Sequence, residues 1–467
     1  MKKDRFLVSM MGVMNAFSSI LAIIAGLVAG FIILLISNPS QSFSGFLTIL
    51  TGGFSDMFNF GQVLYYATPI ILTGLSVGFA GKTGLFNIGA SGQFTSGMYA
   101  TILVAIKLSS LPGPLLCVAA IVAGVVAGAI WGMIPGLLKA FSNVHEVIAC
   151  IMMNYIGMYL VNYLIKETGV YDQLKNMTSR VPSHANLPTL GLDRLFSTPT
   201  GQGAVRASSV GSGILIAMVV CVILYIVLEK TKFGYELKSC GFNREAARYA
   251  GINENRGIML SMVIAGALAG LGGALLALAG AGRGVTVVDV LANEGFQGIP
   301  VALLGLYNPI GILFSGVLIA YLTQSGFLLQ RLNFAPEIIE IIVSIIIYFS
   351  ALALLLKNAV QSIVSGISGL RGGQAAGDAG GGEDGDAGAE GGEDTDAEGS
   401  EDGGAGAEGG VDGGADAEGG VDGSVDSGGG FESGERTPVL DATVAGSGPG
   451  PGDDAADFTD SGEGADG

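Results

Sequence analysis

The residues Gly81, Lys82 and Thr83 have the types that close a phosphate-binding loop, in which backbone N–H groups and a lysine hold nucleotide phosphates. The first glycine of that motif would fall at position 76, which is Ser76. The motif must also join a strand to a helix, whereas the preceding stretch, "YYATPIILTGLSVGFA", is long and apolar. We therefore expect no nucleotide site here, and the polar residues that follow need another explanation.

The stretch "GLFNIGASGQ" that follows combines uncharged polar side chains with glycines that interrupt regular helix. The polar residues are Asn87, Ser91 and Gln93, and the glycines are Gly81, Gly84, Gly89 and Gly92. Irregular polar backbone at membrane depth is tolerated only where it is buried in protein or lines a cavity. Two interpretations stay open: tight packing with every polar group bonded, and the wall of a substrate pathway.

A second group of candidates lies in the apolar segment "HEVIACIMMNYIGMYLVNYLI". Asn154 is a mid-segment amide, which is costly in a membrane unless it is hydrogen-bonded. Tyr155, Tyr159 and Tyr163 recur at every fourth residue and therefore form one stripe along a helix. The stripe is compatible with packing or with a stacking wall for a ring-shaped solute, and Asn154 and Tyr155 are our candidates for the pathway.

The segment "ANEGFQGIPVALLGL" contributes Glu294 and Gln297 to the candidate pathway. A transporter driven by protons or sodium would need an ionisable residue inside the membrane, and Glu294 is the one that invites this alternative. Glu337 and Glu340 follow Pro336 and have the arrangement of an ordinary helix N-terminus, so we expect no function for them.

A basic polar segment, 229–257, contains the sequence "GFNREAARYAGI". Ala246, Ala247 and Ala250 would form one small face of a short helix that Gly251 ends. Such a helix suits docking into a groove on another protein. The candidate docking residues are Phe242, Asn243, Arg244, Ala246, Ala247, Arg248 and Gly251.

The sequence offers little for catalysis, metals or disulfides. Its four cysteines form no CxxC pair, and its two histidines have no partners at metal-ligand spacing. No Ser/His pair, HExxH motif or pair of aspartates falls within the apolar segments. We expect a protein that is not an enzyme and that uses no metal, cofactor or nucleic acid.

These candidates must be positioned by a membrane domain. Half of the 467 residues are hydrophobic and the mean hydropathy is +0.58, yet the net charge is −18. The charge lies in residues 365–467, which contain 26 acidic and two basic residues and consist mainly of Gly, Ala, Asp and Glu. Such a composition cannot bury enough apolar surface to fold. We expect residues 1–364 to form a transmembrane domain and residues 365–467 a disordered acidic tail.

The apolar pattern predicts an all-α polytopic membrane protein with about ten spans. The segments are 12–36, 63–80, 88–107, 113–136, 146–165, 211–228, 258–280, 292–306, 308–328 and 336–357. With both termini in the cytoplasm, 13 of the Lys and Arg residues up to Arg371 fall on the inner side and eight on the outer side, and the outer loop 38–62 has none. No cleavage site follows the first span, so we expect it to be retained.

Small residues recur every fourth position in several spans, including Gly124, Gly128 and Gly132 in the fourth and Gly266 and Gly270 in the seventh. Ridges of small residues let helix backbones approach closely in lipid. The pattern predicts a compact bundle of packed helices.

Four ordered motifs together resemble the permease subunits of bacterial ABC importers for branched-chain amino acids, simple sugars and nucleosides. They are "GLFNIGASGQ", "HEVIACIMMNYI", "GFNREAARYAGI" and "GFQGIPVALLG", and the resemblance covers about residues 10–358. The phrase around Asn87 is most similar to the nucleoside and simple-sugar branch. That branch usually has Glu where this chain has Ser91, so the role of that carboxylate is missing here.

The resemblance implies a type II ABC importer fold in the cytoplasmic (inner) membrane, with residues 242–251 as a coupling helix on a separate ATPase chain. A second permease subunit, a paralogue, and an extracytoplasmic substrate-binding lipoprotein would complete the importer in the lipid bilayer. We expect a nucleoside as solute and a simple sugar as the alternative. Uncharged amides and tyrosines suit a nucleoside, and we expect no fixed cation deep in the membrane to hold a carboxylate.

Overall fold

The computed structural model describes residues 24–200 and 204–351. The start of the first predicted span, the end of the last and the whole predicted tail lie outside the described residues. Within them the protein is almost entirely helical, apart from two short antiparallel hairpins.

The helices are numbered in chain order. They are α1 Ile24–Ser37, α2 Ser42–Thr51, α3 Met57–Lys82, α4 Ala90–Lys107, α5 Gly113–Ser142, α6 Glu146–Glu167, α7 Leu192–Leu195, α8 Gly213–Lys230, α9 Lys232–Phe242, α10 Arg244–Tyr249, α11 Glu254–Ala277, α12 Asn293–Leu304, α13 Pro309–Leu329 and α14 Pro336–Ala351. Short 3₁₀ turns are Gly52–Phe54, Ser183–Ala185 and Gln330–Leu332. Strands β1 Tyr171–Asp172 and β2 Met177–Thr178 form one hairpin, and β3 Ser197–Thr200 and β4 Ala204–Ala207 form the other.

Six of the described helices are long and apolar enough to cross a membrane: α3, α5, α6, α8, α11 and α13 with its 3₁₀ extension. The expectation of a helical, multi-pass membrane protein is therefore confirmed. Burial differs among these six. The most apolar window of α3 is 89% buried inside the protein and that of α11 is 72% buried, whereas α5 and α8 each bury 33% and present their other faces outward. α3 and α11 are thus the central helices.

The α5–α11 interface confirms the small-residue prediction. A side-chain carbon at Gly128 would collide with the backbone of Gly266 and Gly270, and one at Gly132 would collide with the carbonyl of Met262. The two backbones therefore touch along the ridge, which gives close van der Waals packing without a hydrophobic driving force from water.

The two ends of the bundle carry different structures. Residues 168–200 and 204–212, with both hairpins, form what we call the hairpin end, and α9 and α10 form the short-helix end. α8 runs from the first to the second. The amide of Leu187 bonds the carbonyl of Leu278 just after α11, and Gly84 just after α3 packs on Gly241. The ends of α3 and α11 are thereby tied to these terminal structures.

The structure adds detail to three sequence-based assignments. The predicted outer loop 38–62 contains helix α2, which is short but buries Gly45 and Ile49. The short helix predicted in the segment 229–257 is confirmed as α10, and the segment also forms α9, which the sequence pattern did not predict. Of the four glycines expected to break helix near residue 87, Gly81 lies in α3 and Gly92 in α4.

The predicted eighth span, 292–306, is helix only over the 12 residues of α12. At 1.5 Å per residue α12 is about 18 Å long, short of the roughly 30 Å of a bilayer core. It starts inside the bundle, where the hydroxyl of Thr73 donates to the carbonyl of Glu294 (3.0 Å), and it ends beside Gly81, which contacts Tyr307. α12 thus covers the half of α3 nearer the short-helix end.

Candidate functional site

The turn between α3 and α4 folds back into the bundle. Gly84 has a φ of +75°, and a side chain there would collide with the backbone of Gly241, so this position requires glycine. Because Gly81, Lys82 and Thr83 end a helix and do not follow a strand, the local structure is not that of a phosphate-binding loop. The chain then returns until the Asn87 amide reaches the hydroxyl of Ser76, at 3.0 Å.

Asn87 and Gln93 bind one another inside the protein. The Asn87 amide donates to Gln93 Oε1 (2.8 Å), and the Gln93 amide donates to Asn87 Oδ1 (3.1 Å). Both side chains are buried, and Ser76 in turn donates to the carbonyl of Ala265 in α11 (2.6 Å). The network joins α3, α4 and α11, so the amides position the start of α4 and do not face open space.

Asn154 caps α4 from a different helix. The N-cap residue of α4, Gly89, has no side chain to offer, and Asn154 Oδ1 accepts the N–H of Gly92 instead (2.8 Å). The Asn154 amide also donates to the carbonyl of Ile88 (3.0 Å). The first N–H groups of a helix have no partner within it, so this buried amide supplies one and fixes α6 to α4.

The starts of α4 and α12 meet inside the bundle. The Ser91 hydroxyl donates to the carbonyl of Ala292, the N-cap residue of α12 (2.9 Å), and Gly295 packs directly on the backbone of Ser91. Interrupted helices whose positive N-terminal ends face a central site are a recurring design of membrane transport proteins. The arrangement places Glu294 at the edge of an open space.

That space consists of two adjoining cavities on the hairpin-end side of α12, of about 400 Å³ and about 320 Å³. We call them the first and the second cavity. The first lies between α4, α6 and the α11–α12 connection, and includes Thr95 and Asn162. The second lies between α3, α12, α13 and α14, and includes Gln297 and Thr323. Volumes of this size suit small-molecule ligands.

Four residues line both cavities: Leu276, Arg283, Asn293 and Glu294. Arg283 Nη2 donates to the Tyr66 hydroxyl (3.1 Å), its guanidinium lies 5.5 Å from the Tyr66 ring centre, and Nη1 is 3.9 Å from Glu294 Oε1. Burial by itself lowers the pKa of Arg283, but the neighbouring Tyr65, Tyr66 and Glu294 outweigh it and hold the pKa above its ordinary value. Arg283 is therefore a fixed positive charge.

The second cavity has an aromatic wall. The rings of Tyr66 and Phe327 both line it, with centroids 5.7 Å apart. By contrast, the predicted stacking stripe of Tyr155, Tyr159 and Tyr163 lies on the outward face of α6, with Tyr155 47% exposed. The structure does not bring Tyr155 together with the other pathway candidates.

Two charged residues lie at the cavities although the sequence indicated no role for them there. Arg283 belongs to the α11–α12 connection and lies 3.9 Å from Glu294. Glu340 belongs to α14 and lines the second cavity. The sequence held a signal for Arg283, since it is the single basic residue between α11 and α12 and lies between Gly282 and Gly284.

Of the predicted pathway residues, Glu294 and Gln297 line the cavities, while Asn87, Ser91, Gln93 and Asn154 form the support beneath them. Sequence reasoning missed Tyr66, Asn293 and Phe327. All three belong to apolar segments, and the sequence alone does not show which side of each segment faces a cavity.

Comparison with known proteins identifies the family. Residues 59–351 match the family described as branched-chain amino acid transport system / permease component. The chain belongs to this permease family. It is 35% identical to the guanosine ABC transporter permease protein NupP of Bacillus subtilis, over 71% of this chain and 92% of that protein. It is 33% identical to the nucleoside ABC transporter permease protein NupB of Lactococcus lactis, over 72% and 91%.

A more distant similarity extends to sugar transport. The permease is 32% identical to the glucose ABC transporter permease protein TsgB13 of Haloferax volcanii, over 71% of this chain and 85% of that protein. Membership in the family makes the chain a transport subunit of a multi-pass membrane system and implies an ATPase and a substrate-binding component as partners.

At the short-helix end, the permease carries an exposed surface around α10. The Asn243 side chain caps the helix by accepting the N–H of Ala246 (3.0 Å), and Gly251, with φ +78°, follows its end. Phe242 is 86% exposed and Tyr249 91% exposed.

Beside α10 lies a groove of about 610 Å³. Ala246 and Ala250 are exposed along it, whereas Ala247 is buried at its floor. Arg244 is bonded to Asn143 at 3.2 Å. The predicted small face of three alanines is therefore split, and two of the three remain available to a partner.

Metal ligation finds no support in the described part of the chain, where no group of three His, Cys, Asp or Glu residues comes together. All four cysteines are buried and free. The chemistry of the permease site is that of hydrogen bonding, aromatic contact and one ion pair.

Proposed function

We propose that the protein is the transmembrane permease subunit of an ATP-driven importer that carries a nucleoside across the cytoplasmic membrane. The observation that carries the proposal is the second cavity, which combines aromatic rings with amide and hydroxyl groups. The relatives named for guanosine and nucleosides support the same solute class.

The chemistry of the second cavity matches the two halves of a nucleoside. The Tyr66 and Phe327 rings offer faces on which a base stacks, a contact worth about 1–3 kcal/mol per base at dedicated sites. Gln297, Asn293 and Thr323 offer donors and acceptors for ribose hydroxyls and base edges. A permease site needs only moderate affinity, because the solute must leave it again.

A simple sugar such as ribose or galactose is the alternative solute, favoured by the similarity to the glucose permease of Haloferax volcanii. The amides and hydroxyls of the second cavity would serve a sugar equally well. The Tyr66 and Phe327 rings favour a nucleoside over a sugar, because a planar base covers more of an aromatic ring face than a sugar does.

In this proposal the short-helix end faces the cytoplasm and both termini lie there, in agreement with the excess of Lys and Arg on that side. The surface around α10 docks on a separate ATPase subunit, through Phe242, Tyr249 and the exposed alanines. A second permease subunit, a paralogue, completes the pore, and a lipoprotein delivers solute at the hairpin end. The acidic tail 365–467 is dispensable for transport.

The energy source is tested by uptake of labelled guanosine in cells that express the full chain with its partners. We expect uptake to disappear when the ATPase gene is deleted and to survive an uncoupler that collapses the proton gradient. Loss of uptake with the uncoupler alone, at unchanged ATP, would favour a secondary transporter that uses Glu294.

Docking is tested by Ala246→Glu, which places a charge on the exposed face of α10. We expect the variant to insert normally but to lose copurification of the ATPase. Leu174→Glu is the matched control, since Leu174 is fully exposed at the hairpin end. Unchanged copurification with Ala246→Glu would place the docking surface elsewhere.

A further inference from the structure

An ion pair lies in the lining that the two cavities share. Arg283 and Glu294 both line each cavity, with 3.9 Å between Nη1 and Oε1, and they are 42% and 32% exposed. A solute in either cavity therefore lies beside both charges. The Glu294 side chain is not needed to hold the backbone, because the α12 start is fixed through the Glu294 carbonyl and Thr73.

The position of Arg283 is well defined. It follows Gly280 and Gly282, with φ values of +78° and +68°, which turn the chain inward. The residues after it are held to β2, where the amide of Thr178 bonds the carbonyl of Val285 (2.9 Å). The guanidinium is therefore directed to Tyr66 and Glu294 by a braced segment.

The charges that line the two cavities nearly cancel and sum to about half a negative charge. Arg283 contributes one positive charge and the N-terminus of α12 a partial positive charge of about one half. Glu294, in the first turn of α12, contributes one negative charge, and Glu340 in the second cavity another. In the first cavity, which Glu340 does not line, removing Glu294 would leave a guanidinium and a helix N-terminus together, which is the arrangement that binds phosphate in many proteins.

We propose that Glu294 determines the charge selectivity of the two cavities: by pairing with Arg283 it keeps uncharged solutes acceptable and excludes anionic ones such as nucleoside phosphates. The proposal rests on the proposed function for the identity of the solute. It assigns to Glu294 a role in rejecting competitors, in addition to its place in the cavity wall.

The test is a thermal-unfolding measurement on the purified full complex without its binding protein, titrated with inorganic phosphate at constant ionic strength. For Glu294→Gln we expect the Tm to rise with phosphate, because a ligand that binds the folded state stabilises it. The apparent affinity of Glu294→Gln for phosphate should exceed that of the wild type by about tenfold or more, which corresponds to about 1.4 kcal/mol. The double variant Arg283→Gln/Glu294→Gln should lose this response.

Glu337→Gln is the matched control, because it removes an exposed carboxylate of α14 that lines neither cavity. Glu294→Ser provides a second, smaller neutral variant if the glutamine variant unfolds. The proposal is refuted if wild type and Glu294→Gln respond alike, or if the double variant keeps the response. Since the probe is phosphate, failure here is distinct from failure to import a nucleoside, which is measured by uptake.

Discussion

Replacing Asn154 should weaken one part of the site, the start of α4. The variant Asn154→Ala removes the acceptor of the Gly92 N–H and the donor to the Ile88 carbonyl. A buried polar group left without a partner costs about 1–3 kcal/mol, so two of them cost about 2–6 kcal/mol. The cost falls on the start of α4, because both orphaned groups belong to that turn.

Hydrogen exchange of the purified complex measures this effect residue by residue. If opening of the α4 start becomes easier by about 2 kcal/mol, exchange of residues 88–93 should accelerate by about 30-fold. Asn162→Ala is the matched control eight residues further along α6, since its amide bonds Val288 and Asp289.

The control should change exchange near residue 288 and leave residues 88–93 as they were. Equal exchange of residues 88–93 in Asn154→Ala and wild type would refute the assignment of Asn154 as the cap of α4.

Two further variants test packing and the aromatic wall. Gly128→Leu should destabilise the α5–α11 contact by about 1–3 kcal/mol or more and lower the Tm of the purified protein, whereas Val126→Leu on the exposed face of α5 should change it little. Tyr66→Ala should raise the nucleoside concentration needed for half-maximal uptake, whereas Tyr155→Ala should not; equal effects of the two substitutions would contradict the placement of the base on Tyr66.

The sequence predicted well the features that depend on local composition. Apolar length marked the six described helices that are long enough to span a membrane, among ten predicted spans. The glycine spacing in α5 and α11 predicted their close contact because every fourth residue lies on one face of a helix. Asn154 was recognised as a costly amide in an apolar segment, which is why it had to be bonded. For Asn87 and Gln93 the sequence left packing and a pathway wall open, and the structure shows the two amides bonded to one another.

The sequence could not predict which way side chains face once the helices are packed. The stripe containing Tyr155 has the same helical spacing whether it faces inward or outward, and only packing places it outside. Arg283 and Glu294 are 11 positions apart in the sequence. They meet because the α11–α12 connection folds into the bundle, and the local sequence does not indicate this fold. The segment 292–306 is apolar enough to resemble a membrane span. In the structure its helix, α12, has only 12 residues and starts inside the bundle, where Thr73 bonds the Glu294 carbonyl.

Uptake of labelled solutes tests the central proposal most directly. Cells with and without this chain, its partners retained, are supplied with labelled guanosine, glucose and leucine in parallel. A nucleoside importer predicts that guanosine uptake is lost without the chain, while glucose and leucine uptake stay unchanged. Intact guanosine uptake together with lost glucose or leucine uptake would contradict the account.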